Sequence, residues 1–383
     1  MKCFSLKQYL EELAALVNID SGLGAPEGAT QVGLMLAEPL VRQGWILERH
    51  SLSPKAGECI VVKNREAERY DALLVGHTDT VFPAGEAAKR PFSRDETRAY
   101  GVGVLDMKQG CLAAVHALMG LSKEALDALA IAVIFNPDEE IFSPYSAPLI
   151  DAYAQRSAHA FVFEAASTDG SHTIARKGLM RFDYAFHGRS GHAGYAFENG
   201  GISAVNEMAY WIMELAKLHD KASGTSVNAG VARGGTAANI IADHAELSVD
   251  VRYVTKKEME RVKAELLRLK AHAAEAGVGL TELSFRVMPP LEPDARTHAY
   301  VERVKAVSEG LGLPFYTKPR GGCSDANHIS ACGPVVLDGL GPTGDDDHSP
   351  DEYLELSTVE PSIRLARALL EELAAEKLKE RER

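Results

Sequence analysis

The residues best able to do chemistry are histidines and acids that follow short apolar runs. His77 and Asp79 come after the run 72–75, Glu139 and Glu140 after 131–135, and Glu164 after 161–163. His348 lies in the segment after 334–337, and Asp106 closes the stretch 100–106, just ahead of a helical pattern that begins at Met107. In an open α/β sheet, ligand-binding groups gather in the crevice beyond the carboxyl ends of the strands, so residues far apart in the chain can converge. Taken singly, each signal is ordinary: a histidine at a strand end is usually structural, and an acidic pair is usually a solvated turn. Taken together, acids placed repeatedly at strand ends repel one another unless a cation sits among them. Asp106, Glu140 and Glu164 with one deprotonated water balance two divalent ions, and neutral His77 and His348 complete the coordination.

An α/β arrangement must position these groups. Up to about residue 175, apolar runs alternate with helical patterns such as 107–119, the rhythm of a domain with a largely buried sheet. From Met180 to Tyr253 the pattern changes: Phe182, Tyr184 and Phe186 alternate with Arg181, Asp183 and His187, so one strand face is buried and the other is not. With helical stretches at 201–218 and 256–274 and a further alternating run at 283–287, the order β-α-β-β-α-β predicts a ferredoxin-like unit. The α/β pattern resumes after Pro289-Pro290, through helical stretches at 300–310 and 356–377. The expected organisation is an α/β catalytic domain over 1–178 and 291–383, interrupted by an inserted α+β lid over 179–290. The tail 371–383 reads as a fraying charged helix end.

Composition bounds the partners. Forty-one basic and 54 acidic side chains leave a net charge of −13 among 383 residues, which argues against unaided binding to nucleic acid or an anionic membrane, since phosphate recognition draws on Lys and Arg. No apolar run approaches the roughly 20 residues that span a bilayer, and the amphipathic start 1–17 lacks the apolar centre of a signal peptide. A cytoplasmic location and a small-molecule or peptide substrate are expected. The five cysteines, Cys3, Cys59, Cys111, Cys323 and Cys332, show no CxxC spacing and read as reduced thiols.

The sequence resembles the co-catalytic zinc aminoacylase and carboxypeptidase superfamily, most of all its glutamate carboxypeptidase branch, the carboxypeptidase G type. The segments that carry the resemblance are GHTDTVFP at 76–83, YGVGVLDMKQG at 100–110, NPDEE at 136–140, FE at 163–164, RKG at 176–178, HGRSGHAG at 187–194, NII at 239–241, GGCSDA at 321–326 and HSPDEY at 348–353. They occur in the family order over nearly the whole chain. The resemblance implies a zinc-exopeptidase-like catalytic domain with a mixed, mostly parallel sheet, and an inserted ferredoxin-like domain through which two chains form a homodimer. It implies two zinc ions per subunit, replaceable by cobalt or manganese, with Asp106 bridging, His77 and Glu164 on one ion, and Glu140 and His348 on the other. Glu139 becomes the general base, and Asp79 accepts a hydrogen bond from the His77 ring nitrogen that faces away from the metal. The Asp106–Met107 peptide bond becomes cis. Gln109 and Ala242 depart from the pattern of many relatives without touching the ligand set.

The chemistry implied is metal-assisted hydrolysis of an amide, Glu139 carrying a proton from water to the leaving amine, with His192 stabilising the oxyanion. Arg320, directly before a Gly-Gly turn, suits a bidentate grip on a substrate carboxylate, and Asn239 can donate to the same group. The resemblance assigns both to the α-carboxylate and places Lys177 in the neighbouring pocket. A glutamate-type carboxypeptidase is expected. The alternatives are an N-acyl-amino-acid deacylase of the acetylornithine or succinyl-diaminopimelate type and a binding homologue without catalysis. The glycines at 339–344 and 101–103 lack the remaining residues of phosphate-loop and dinucleotide motifs. Neither Cys323 nor Ser190 has the setting of a nucleophile.

Overall fold

A computed structural model describes residues 4–22 and 24–382; Cys3 lies outside the described residues. The chain forms two compact units. One comprises residues up to Ile174, Pro293–Pro319 and Ser324 onward, and the other comprises Ala175–Glu292 with Arg320–Cys323. The return of 320–323 to the second unit follows from local pairing. Arg320 accepts a backbone hydrogen bond from Lys177 and donates one to Ala175, and the Cys323 thiol donates to the Lys177 carbonyl.

The first unit is built on a six-stranded sheet in the order Ile46–His50, Cys59–Lys63, Ile131–Asn136, Tyr70–His77, Ser157–Val162, Val335–Leu337. Only Cys59–Lys63 runs against the others, so the sheet is mixed and mostly parallel. Tyr70–His77 and Ile131–Asn136 are almost wholly buried, which is why they read as unbroken apolar runs rather than as alternating ones. Helices Leu6–Val17, Pro26–Arg42, Lys108–Met119 and Val359–Arg381 contribute Leu13, Leu36, Leu118 and Leu369 to the same core as Leu74 and Val133 of the sheet. A separate small sheet pairs Gly344–Asp345, Tyr353–Glu355, Arg98–Tyr100 and Ser93–Arg94.

The second unit is a four-stranded antiparallel sheet in the order Gly279–Met288, Gly178–His187, His244–Tyr253, Ser226–Gly234, with helices Ala204–Ala216 and Lys256–Glu275. In chain order its strands lie fourth, first, third, second, the ferredoxin-like arrangement. Phe182, Tyr184 and Phe186 pack with Trp211 and Leu266 in a core of their own. Thr255 caps the second helix by accepting from the Glu258 amide.

The tail departs from the sequence reading. Helix Val359–Arg381 does not fray at 371, because Leu373 and Ala374 are buried, Lys377 pairs with Asp71 and Arg381 donates to the Ala128 carbonyl. Among the described residues no helix is long and apolar enough to cross a membrane.

Candidate metal centre

Parallel pairing sets the ends of the central strands level. His77 lies beside Asn136, and Val75 beside Val162. The acids then leave the sheet at the same edge: Glu139 and Glu140 from the short turn Glu139–Ile141, and Glu164 just past Val162. Asp106 arrives on the loop between Arg98–Tyr100 and Lys108–Met119, and the Asp106–Met107 peptide bond is cis. His348 is carried by the loop between the strands Gly344–Asp345 and Tyr353–Glu355.

The side chains converge on Asp106. His77 Nε2 lies 3.0 Å from Asp106 Oδ1, 3.7 Å from Glu164 Oε1 and 4.0 Å from Glu139 Oε2. His348 Nε2 lies 3.0 Å from the other oxygen, Asp106 Oδ2, and 3.4 Å from Glu140 Oε2. One carboxylate thus presents one oxygen to each of two histidines, and each histidine has a further carboxylate beside it. Potential ligand atoms of His77, Asp106 and Glu164 all lie within 4.8 Å of one another, and so do those of Asp106, Asp347 and His348. Glu140 Oε1 is buried with no hydrogen-bond partner among the described residues. An acceptor-rich pocket of this kind, with an orphaned carboxylate oxygen, fits divalent-cation binding.

Asp79 sits slightly differently from the expectation. His77 Nδ1 is nearest the Asp79 carbonyl oxygen, at 3.1 Å, with the carboxylate Oδ1 at 3.4 Å. That carboxylate accepts the backbone N–H groups of Glu139 at 3.1 Å and Glu140 at 3.0 Å. Asp79 therefore ties the strand end carrying His77 to the turn carrying both glutamates, because a two-oxygen acceptor matches two adjacent amides.

Burial and mutual contact shift the titration of each of these groups. Burial disfavours a charged His77, yet hydrogen bonding to Asp106 and Asp79 raises its pKa well above the usual imidazole value. Hydrogen bonding to Asp106 and Glu140 pushes His348 up to about 11. Burial works against the Asp106 anion, but the two histidines hold its pKa below the usual carboxylate range. Burial and the Asp106 charge push Glu140 up to about 7. Burial also pushes Glu139 well up, opposed by His77 and assisted by Glu164, Asp325 and Glu140.

The other four candidates belong to the second unit. Arg320 and Lys177 are joined through the backbone, and Lys177 Nζ donates to the Gly224 carbonyl at 3.0 Å. His192 and Asn239 are neighbours across a backbone hydrogen bond from Ala193 N to Asn239 O, 2.9 Å long, and both are exposed. The His192 ring accepts from Gly194 N through Nδ1 at 3.1 Å.

A model of peptidase family M20/M25/M40 matches residues 73–372, and the chain belongs to that family. It is a metal-dependent hydrolase of the peptidase and amidohydrolase class. Carboxypeptidase G2 of Pseudomonas sp. (strain RS-16) is 30% identical over 96% of this chain and 90% of its own. Acetylornithine deacetylase of Proteus mirabilis is 26% identical over 90% of each chain. The crystal structure of aminopeptidase PepT from Bacillus cereus is 20% identical and superposes with a TM-score of 0.76, covering 97% of this chain and 99% of that one.

Sequence reasoning passed over two side chains at this centre. Asp347, next to His348, is exposed and has no strand-end signature. Glu352 stands inside the HSPDEY segment without an assigned task, although it is an acid in a stretch that already supplied a ligand.

Proposed function

We propose that this chain is a di-zinc carboxypeptidase that cleaves the amide bond to a C-terminal or N-acylated amino acid of glutamate type. The observation that carries the reading is Asp106, whose two oxygens each face a histidine that has a second carboxylate beside it. His77, Asp106 and Glu164 would hold one ion, and Asp106, Glu140 and His348 the other. When bound, two zinc ions polarise an amide carbonyl and acidify water. Glu139, which lies near His77 but is not needed to complete either ligand set, accepts the proton from water and passes it to the departing amine nitrogen. The burial and neighbouring negative charge that raise its pKa suit it to both halves of that transfer. Asp79 fixes the turn on which Glu139 stands.

His192 is proposed to stabilise the oxyanion, and Arg320 with Asn239 to hold the substrate α-carboxylate beside Lys177. Homodimerisation through the inserted unit belongs to the same proposal. A second reading, deacylation of an N-acyl amino acid, is supported by the similarity to acetylornithine deacetylase.

Metal analysis of protein purified without chelator, followed by a panel of N-acyl-glutamate, N-acetylornithine and succinyl-diaminopimelate, tests both readings. Two ions per chain and preferred cleavage of the N-acyl-glutamate are expected. Activity without metal would overturn the mechanism, and preference for N-acetylornithine would favour the deacylase.

A further inference from the structure

We propose that Glu352 is a positioning residue that fixes the bridging carboxylate through the backbone of its own loop. The inference rests on the reading of Asp106 as the shared ligand. The loop leading to Asp106 turns through Gly101 at φ +140° and Gly103 at φ +68°, conformations open chiefly to glycine. It belongs to no helix or strand. Its amides therefore have no regular ladder to satisfy them, although such groups must find acceptors when buried.

Glu352 supplies those acceptors. Its Oε2 accepts from Gly103 N at 3.0 Å, and its Oε1 accepts from Leu105 N at 2.8 Å and from Asp106 N at 2.9 Å. The residue is 1% exposed. It reaches the loop because Tyr353–Glu355 pairs antiparallel with Arg98–Tyr100, Tyr353 opposite Tyr100. The loop is also closed from the other side: a Cβ on Gly103 would stand 2.6 Å from Thr80 Cγ2. One short segment thus carries His348, which faces one oxygen of Asp106, and Glu352, which anchors the main chain of Asp106 itself.

Only a carboxylate offers unhindered acceptance at both oxygens. A glutamine has the same shape but presents N–H groups at one end, so one end of Glu352→Gln must turn a donor toward a donor. Because Asp106 serves both metal positions, loosening it must weaken both ions together, whereas a defect confined to His348 would weaken one.

Zinc affinities of wild type and Glu352→Gln, measured by chelator competition, test the assignment, with the visible spectrum of the cobalt-loaded proteins as a second readout and far-UV circular dichroism as the check on folding. The expected result is a folded variant with both affinities lowered by roughly ten- to a hundredfold, an altered cobalt spectrum, and a reduced kcat at nearly unchanged KM. Glu352→Asp, which keeps both acceptor oxygens on a shorter arm, should fall between the two. If Glu352→Gln does not fold, Glu352→Asp carries the test on its own. Unchanged affinities and spectrum in the folded variant, even with a lowered melting temperature, would reduce Glu352 to a structural residue and overturn the inference while leaving the metal reading intact. A wild-type protein that binds no divalent ion would overturn the metal reading itself and this inference with it.

Discussion

Glu139 and Asp106 both lie beside the His77 ring, yet their substitutions should fail in different ways. Glu139 stands 4.0 Å from His77, farther than Glu164 at 3.7 Å or Asp106 at 3.0 Å, so Glu139→Gln should keep its metal while kcat falls by about a hundred- to ten-thousandfold. Asp106→Ala removes the oxygen that faces each histidine and should lower metal content first. Metal analysis beside steady-state kinetics separates the two patterns, and near-normal turnover in Glu139→Gln would remove it as the base. The titration of the site gives a further expectation. His77 and His348 have raised pKa values, and Glu140 is pushed up to about 7, so each must lose a proton that competes with the metal. Zinc affinity should therefore rise steeply with pH through neutrality. Titration of affinity by chelator competition at several pH values checks the sign, and a flat profile would contradict the assignment of these residues as ligands.

At the level of elements, the close approach of helix Lys108–Met119 to the end of the strand Ser157–Val162 decides where Glu164 emerges. A Cβ on Gly110 would stand 1.9 Å from the Phe163 carbonyl oxygen. Gly110→Ala must push helix and backbone apart and should cost about 1 to 3 kcal/mol in denaturant unfolding. Gly120, at the other end of the helix, meets only the flexible end of Arg367, so Gly120→Ala should be tolerated far better. Helix Asp325–Ala331 supplies a pH-dependent term. Burial opposes a charge on His328, but its hydrogen bonds to Asp151 at 2.6 Å and Asp325 at 3.0 Å push its pKa up to about 9. A histidine raised in the folded state stabilises fully below its unfolded pKa of about 6.5 and loses that contribution as pH rises through about 9. Wild type should thus lose up to about 3 kcal/mol relative to His328→Gln across that window.

The same elements show what the sequence could reveal. The buried strands and the acids at their ends were legible because apolar runs register directly, and the ferredoxin-like unit because its strands alternate. Helix Pro26–Arg42 was not: it carries Pro39, Gly28 and Gly33 inside it, residues of low helix propensity that blur a helical pattern. The small sheet was equally silent, since strands of two or three residues such as Ser93–Arg94 and Tyr353–Glu355 are too short to show a period. Glu352 depends on that sheet, so its task could not be read before the pairing was known. The task of Asp79 was also only half legible, because acceptance from the Glu139 and Glu140 amides depends on where a loop folds back.

For the whole molecule, the question is whether one chain suffices. The inserted sheet ends on Gly279–Met288, a strand paired on one side only among the described residues, and Leu283, Phe285 and Val287 on it are 55%, 41% and 36% exposed. An open edge with uncovered apolar side chains invites pairing with another chain. A dimer should appear in sedimentation velocity, and Phe285→Lys should shift it toward monomer. His192, proposed to act on the oxyanion, is exposed, and its ring meets Gly194 N and the Tyr195 ring of its own turn. It could serve its own Glu139 or that of a second copy, and subunit mixing decides between them. His192→Ala and Glu139→Gln chains should each be nearly inactive alone. If His192 reaches across the dimer, mixed dimers contain one site in which both residues are wild type, and activity returns on exchange to a level set by the fraction of mixed dimers. Verified mixed dimers that stay inactive would place His192 with the Glu139 of its own chain, because no mixed site would then hold both residues. A fully active monomer would separate catalysis from assembly and leave the apolar edge to be explained by some other contact.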